Sequence, residues 1–328
     1  MVKLYPFTFK PIFKEKIWGG DKIKSFLNKD FSPLQSCGES WELSAVDGDE
    51  SVVANGDLKG KTIHELVEMY KGELMGAGNY QRFGDEFPLL IKFIDANQDL
   101  SVQVHPDDVF AKDLYGEDAM GKSEMWYVMQ ADEGASLISG FKESINKAEF
   151  KERLAASKLE VTLNREVVEA GDVFYIPAGR IHTIGKGILI AEIQQTSDVT
   201  YRIFDFDRED KDGNKRELHV DKAAEVLNFE VLNSYKQKVK EVLNAPAELV
   251  DCKHFVSRKW VVNKKQEIDY TSQDSFKILI CVNGQAQCLY DSEEISLSKG
   301  DVYLIPACLE GLSILPHPKV EFIEVYIR

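Results

Sequence analysis

The chain has 328 residues, 44% of them hydrophobic, which suits one large or two ordinary domains with a real core and is too apolar for bulk disorder. A formal net charge of −15 leaves no global positive field for phosphate backbones or anionic lipid, so nucleic-acid and membrane-surface partners are set aside. An anionic substrate would need its own local cluster of Lys and Arg.

The N-terminus lacks the apolar segment of a secretory leader, and no run approaches the ~18 apolar residues of a membrane span. Cys37, Cys252, Cys281, Cys288 and Cys308 are odd in number and include no Cys-x-x-Cys pair, as in a cytoplasmic protein with reduced thiols. Residues 1–60 read as short strands and loops, at Phe7–Pro11, Lys14–Gly20, Gly38–Ser44 and Ser51–Ala54. Thr62, three residues before Glu65, marks a helix within 61–82 with Leu66 and Met69 on one side. Phe87–Ile94 is a dense apolar strand interrupted by Lys92. The next strand, from Ser101, alternates so that Ser101, Gln103 and His105 share one face while Val102 and Val104 take the other. Pro106 ends it, and Asp107 or Asp108 caps a helix near 107–115.

Ser123–Met129 is a further strand, closed by the acidic turn at 132–134. Asn146 and Glu149 open a helix within 144–157, with Phe150 and Leu154 one turn apart. Strands follow at 159–163, 173–176 and 187–194, then a charged loop at 207–217, a helix at 219–229 and a polar connector at 235–247. The remainder reads as short strands at 255–263, 276–282, 285–290, 302–305 and 320–327. Many evenly spaced strands with turn signals predict a mainly β protein of sandwiches or barrels.

Gly171-Asp-Val-Phe-Tyr-Ile-Pro-Ala178 recurs as Gly300-Asp-Val-Tyr-Leu-Ile-Pro-Ala307, which predicts two similar β-barrels. The expected division is a domain of residues 1–240, with helical insertions at about 61–82, 144–157 and 219–229, and a β domain of residues 241–328. The copies then diverge. The first continues Gly179-Arg-Ile-His182 and the second Cys308-Leu-Glu-Gly311, so Gly311 stands where His182 would be. A loose alignment of Ser123-Glu124-Met with Ser275-Phe276-Lys places Phe276 opposite Glu124. On that alignment the second barrel has lost its polar groups and is a structural copy of a working first barrel.

Gly171-x5-Pro177-x-Gly179-x2-His182 fits the second motif of the cupins, in which a hairpin presents a His to a metal at the barrel mouth. The first cupin motif is not matched: Gln103 holds the place of its first His, and Glu124 lies further on than usual. Together Gln103-x-His105-Pro-Asp-Asp, Gly121-Lys-Ser-Glu124-Met-Trp, Gly179-Arg-Ile-His182-Thr and Ser197-Asp-x-Thr-Tyr-Arg202 resemble the type I mannose-6-phosphate isomerases. Ile17-Trp-Gly-Gly20 and Gly38-Glu-Ser-Trp-Glu-Leu-Ser44 extend the likeness, and Phe204-Asp-Phe-Asp-Arg208 resembles the short bacterial branch.

The resemblance implies two cupin barrels and one zinc ion per chain held by Gln103, His105, Glu124 and His182, a donor set that leaves room for substrate or water. It implies the interconversion of mannose 6-phosphate and fructose 6-phosphate by proton transfer between C1 and C2 through an enediolate. Arg202 matches the family's essential arginine, and a planar, permanently charged guanidinium suits an enediolate or a phosphate. Lys92 and Glu192 match catalytic positions, while Ser101, Lys122 and Trp18 match or adjoin substrate-binding ones. Glu192, Lys92 and a metal-bound hydroxide all remain open as the base.

Glu39 and Glu42 lie in family-like stretches as pocket floor or packing. His64, His219, His254 and His317 have no motif around them and read as structural or surface residues. Two other readings compete: a non-catalytic cupin binding a sugar or metal, and an iron cupin oxygenase, which Gln103 in place of a His disfavours.

Overall fold

The computed structural model describes residues 2–209, 212–291 and 293–328. Residues 210 and 211, within the expected charged loop, lie outside the described residues. Three adjacent strands set the architecture. Ile188–Gln195 lies between Leu89–Ala96 and Glu124–Ala131 and is antiparallel to both. Because strand side chains alternate between faces, Leu89, Ile91, Phe93, Met125, Tyr127, Leu189 and Ile193 all enter the largest apolar core. Ile94, Trp126, Val128, Ile188 and Ile190 point the other way, into a second core. Burial on both faces accounts for the near-continuous apolar runs. The same parity puts Lys92, Glu124 and Glu192 on the inner face with Trp126.

Those strands belong to a six-stranded sheet ordered Ile12–Lys14, Glu39–Leu43, Leu89–Ala96, Ile188–Gln195, Glu124–Ala131 and Val173–Ile176. A five-stranded sheet ordered Tyr201–Phe204, Val102–Val104, His182–Thr183, Ser136–Phe141 and Leu163–Val167 closes the first barrel over the second core. A seven-stranded sheet from Pro246 onward forms the second barrel, built on the long strands Lys277–Tyr290 and Gly311–Tyr326. Here too parity divides the residues. Ile278, Ile280, Ile323 and Val325 join the largest core, whereas Leu279, Cys281, Tyr303 and Phe322 fill the second barrel's interior. The two barrels therefore stand back to back on one shared core, with Phe87 and Phe276 in contact across it at a ring-centroid distance of 4.8 Å. The fold is mainly β, two cupin-type barrels with few helices, as expected. No helix among the described residues is long and apolar enough to cross a membrane.

Several local expectations change. The segment 61–82 is three short helices, Ile63–Tyr70, Gly72–Met75 and Ala77–Phe83, interrupted where Lys71 and Gly76 take φ of 48° and 91°. The Thr62–Glu65 capping box forms, but Met69 is 41% exposed while Leu66 packs inward beside Ile63, Val67 and Tyr70. The strand expected at 159–163 is a 3-10 turn, Glu160–Thr162, followed by strand Leu163–Val167. The two strands expected between 276 and 290 are one, bent by register shifts around Asn283 and Gly284. The connector ends early, at a strand beginning with Pro246.

Phe276→Ala removes a fully buried ring from the shared core and is expected to cost about 3–5 kcal/mol of unfolding free energy. Urea denaturation checks this. The fluorescence of Trp41 and Trp126 in the first barrel should report the same lowered midpoint as far-UV circular dichroism.

Candidate active site

Backbone pairing assembles the inner face residue by residue. Lys92 is opposite Glu192, Glu192 opposite Trp126, Glu124 opposite Gln194, and Gln103 opposite both His182 and Arg202. Gly121 lets the following turn press against Asp107 and Asp108, since a Cβ there would come within 2.5 Å of that backbone. Lys122 N–H then donates to Pro106 O at 3.0 Å, which fixes Lys122 beside His105, the residue after strand Val102–Val104.

Glu124 is the hub. Its Oε1 is 3.4 Å from His182 Nε2, and its Oε2 is 3.7 Å from His105 Nε2 and 3.5 Å from Lys122 Nζ. Each imidazole donates its Nδ1 proton to a backbone carbonyl, His105 to Val199 O at 2.9 Å and His182 to Arg180 O at 2.8 Å, because a carbonyl can only accept. That fixes both tautomers and turns both Nε2 lone pairs toward Glu124. Burial, with the ammonium of Lys122 nearby, drives His105 well below its ordinary pKa and His182 down to about 4. Both rings are neutral at pH 7.

The carboxyls diverge. Glu39 falls to about 2: burial opposes ionisation, but Lys92, Lys16 and the Trp41 indole N–H at 2.7 Å outweigh it. Glu192 is pushed up to about 7 by burial and by the Glu124 carboxylate, against the pull of Lys122 and Lys92. Trp126 Nε1–H donates to its Oε2 at 2.8 Å, and Lys92 Nζ lies 3.8 Å from its Oε1 and 3.6 Å from Glu39. Burial raises Glu124 as well, with Lys122 and Lys92 resisting.

These donors fit a metal ion. The ligand atoms of His105, Glu124 and His182 all lie within 4.8 Å of one another, and Glu124 Oε2 is buried without a hydrogen bond. Gln103 Nε2 is 3.5 Å and 3.3 Å from the two imidazole Nε2 atoms, with Ser101 donating to Oε1 at 3.2 Å. A half-turn of that amide presents its oxygen to the same point. Asp47, Glu50 and His64 form a second, more exposed cluster on the surface.

Above this floor opens a cavity of about 240 Å³. Of the ten residues singled out from sequence, Trp18, Lys92, Ser101, Gln103, Lys122, His182, Glu192 and Arg202 line it, while His105 and Glu124 sit at its base beside His182. Five cations line it (Lys16, Lys92, Lys122, Arg202 and Arg216) against the carboxylates Glu39, Glu192 and Asp198, a local positive excess in a protein of net charge −15. Lys16, Asp198, Thr200, Arg216 and His219 are wall residues that sequence reasoning passed over. Asp198 and Thr200 fell inside a quoted motif without a role. His219, read as structural or surface, belongs to the wall, where its Nδ1 accepts from Arg202 N–H at 3.2 Å.

The second barrel requires a correction. Ile176 and Ile305 are equivalent in the repeat, and their strand partners are Glu124 and Lys277, so Lys277, not Phe276, is opposite Glu124. Likewise Arg258, Glu324 and Leu279 stand where Lys92, Glu192 and Trp126 stand in the first barrel. Polar groups persist there. Lys277 and Glu324 are buried, and Tyr270 Oη donates to Glu324 Oε2 at 3.1 Å. What is lost is the metal-ligand character, because an amine occupies the carboxylate's place.

Fold and site together define a two-barrel cupin with one barrel mouth equipped for metal and acid–base chemistry. Two family models match the chain: phosphomannose isomerase type I, catalytic domain, over residues 7–134, and mannose-6-phosphate isomerase, cupin domain, over residues 247–327. The mannose-6-phosphate isomerase ManA of Bacillus subtilis is 37% identical over 305 residues, covering 92% of this chain and 93% of its own. A mannose-6-phosphate isomerase of Streptococcus mutans is 37% identical over 307 residues, covering 93% and 94%. The crystal structure of a mannose 6-phosphate isomerase from Bacillus subtilis superposes with a TM-score of 0.88 at 34% identity, covering 98% of this chain and 99% of that one. The chain belongs to the type I phosphomannose isomerase family.

In the metal-free protein, Glu124→Gln removes the like charge that helps hold Glu192 near 7. The Glu192 carboxyl is then expected to titrate at lower pH, read by carbon NMR of the labelled side chain.

Proposed function

We propose that this enzyme interconverts mannose 6-phosphate and fructose 6-phosphate by proton transfer through an enediolate, and that it depends on zinc. The observation that carries the proposal is the convergence of two neutral imidazole lone pairs, an unsatisfied carboxylate and an amide at the base of one cationic cavity. Gln103, His105, Glu124 and His182 would hold a single zinc ion. When bound, zinc supplies a Lewis acid that polarises the sugar oxygens.

The remaining roles fall to the chain's own side chains. In the open-chain aldose a base removes the C2 proton, the electron pair forms a C1–C2 double bond, and negative charge gathers on O1. Reprotonation at C1, with loss of the O2 hydroxyl proton to O1, gives the 2-ketose. Glu192, with a carboxyl pKa of about 7, is suited to take and return the carbon-bound proton near neutral pH. Lys92, beside Glu192 on the cavity wall, opposes the enediolate's charge from a fixed position. Ser101, Lys122 and Trp18 shape the wall against which the phosphorylated hexose lies.

Chemistry belongs, on this reading, to residues 1–240, and residues 241–328 form a lobe that binds no metal. The ammonium of Lys277 at the place of Glu124 repels a cation there, and the shared core makes the second lobe a brace for the first.

In a coupled assay, conversion of mannose 6-phosphate should disappear after chelation and return when zinc is restored. A chain that loads metal yet isomerises no phosphorylated hexose would instead be a binding cupin. Activity that requires oxygen and iron would make it an oxygenase.

A further inference from the structure

The cavity wall farther along the chain from the metal-ligand strands holds an ionic arrangement that the chemistry above leaves unused. After strand Tyr201–Phe204 the chain turns through Phe206 and Asp207, both non-glycine residues at positive φ, 56° and 52°. Two successive left-handed residues are costly and persist where surrounding contacts enforce them. The chain then returns, with Glu209 bridging to Lys215, until His219 N–H donates to Arg202 O at 2.7 Å.

Asp205, only 5% exposed, is gripped by this excursion. Arg216 Nε donates to its Oδ2 at 2.7 Å and Arg216 Nη2 to its Oδ1, while Arg208 Nη2 reaches the same Oδ1. Burial works against the charged form, but the hydrogen bonds from Arg216 and Arg208 prevail and keep the carboxyl below its ordinary range. Arg216 thus spends one edge of its guanidinium on Asp205, and its Nη1 edge makes no hydrogen bond to a described residue. The same side chain lines the cavity beside Arg202.

Arg202 shows the complementary gap. Its Nη1 donates to Glu217 O at 2.8 Å, yet its buried Nε has no partner. Burial and the Arg216 charge both bear on its guanidinium. Two like charges are thus held against one cavity, with a buried donor left over. Asp205 and Glu217 offset part of that repulsion, and a doubly charged anion in the cavity would engage both guanidinium groups at once.

We propose that Asp205 is a positioning residue that clamps Arg216 so that Arg216 and Arg202 together form the seat for the phosphate group of the substrate. The inference rests on the phosphorylated-hexose reading and adds to it the residue that sets the seat. A bidentate clamp fixes the plane of the guanidinium as well as its location, so an amide in place of the carboxylate should loosen it.

The test uses the full-length, zinc-loaded protein and its Asp205→Asn variant, with Arg216→Gln as a second variant in case the first fails to fold. The expected result for each is a KM for mannose 6-phosphate raised roughly 10- to 100-fold with kcat changed far less, the size of a lost charge-assisted contact. Calorimetric binding of inorganic phosphate should weaken by a similar factor, with metal content unchanged. Asp205→Glu should recover part of the loss. A purely structural role would instead lower thermal stability and the active fraction, leaving KM and phosphate affinity alone, and that outcome overturns the proposal. Should the wild type fail to isomerise the sugar while the variants still weaken phosphate binding, the functional reading falls and the seat stands. Should the wild type isomerise it with both variants unchanged in KM and phosphate affinity, the seat falls alone.

Discussion

Everything in the molecule depends on the two-residue period of a few neighbouring strands. In Leu89–Ala96, Glu124–Ala131 and Ile188–Gln195 one parity is apolar and enters the core shared by both barrels. The other parity is mixed: apolar at one end, where Trp126, Val128 and Ile190 fill the barrel, and charged at the other, where Lys92, Glu124 and Glu192 meet. A slip of one residue would send these charges into the shared core and the apolar set into the cavity. The register that builds the core is therefore the register that builds the site.

The buried charges also hold one another in place. Isolated, each ion would be driven neutral by the loss of water. In company they sort themselves. Glu39 stays ionised under Lys92 and Lys16, Glu192 is pushed up to about 7 by burial and by the nearby Glu124, and both histidines stay neutral because burial and Lys122 leave no room for a further cation. A floor of neutral imidazoles beside a carboxylate of high pKa suits metal binding and proton transfer at once. The second barrel, which carries the same Gly-Asp repeat, arranges its polar groups differently. There Lys277 stands at the carboxylate's position and donates to Ser275 O, while Tyr270 is bonded to Glu324.

Much of this was legible locally. The alternation around Gln103 and His105, the lone Lys92 in an apolar run and the Gly-Asp repeat each depend on a few adjacent residues, and the structure gathers the residues they named around one cavity. What was illegible depends on closures between distant segments. Arg216 and His219 reach the wall because the chain after Asp205 folds back on Arg202, a contact that no local pattern announces. The equivalence of Lys277 with Glu124 needs strand register, and aligning the two serines shifted it by one residue. The first break in the segment 61–82 falls at Lys71, a lysine at positive φ and a residue type that gives no warning, although the second falls at Gly76.

Diffraction data collected on either side of the zinc absorption edge, from crystals shown to be active, would test the central claim most directly. The expected map has one anomalous peak per chain, among Gln103 Oε1, His105 Nε2, Glu124 and His182 Nε2, and none inside the second barrel. A peak only at Asp47, Glu50 and His64, or no peak in active crystals, would contradict the claim that the inner face of the first barrel is the metal centre.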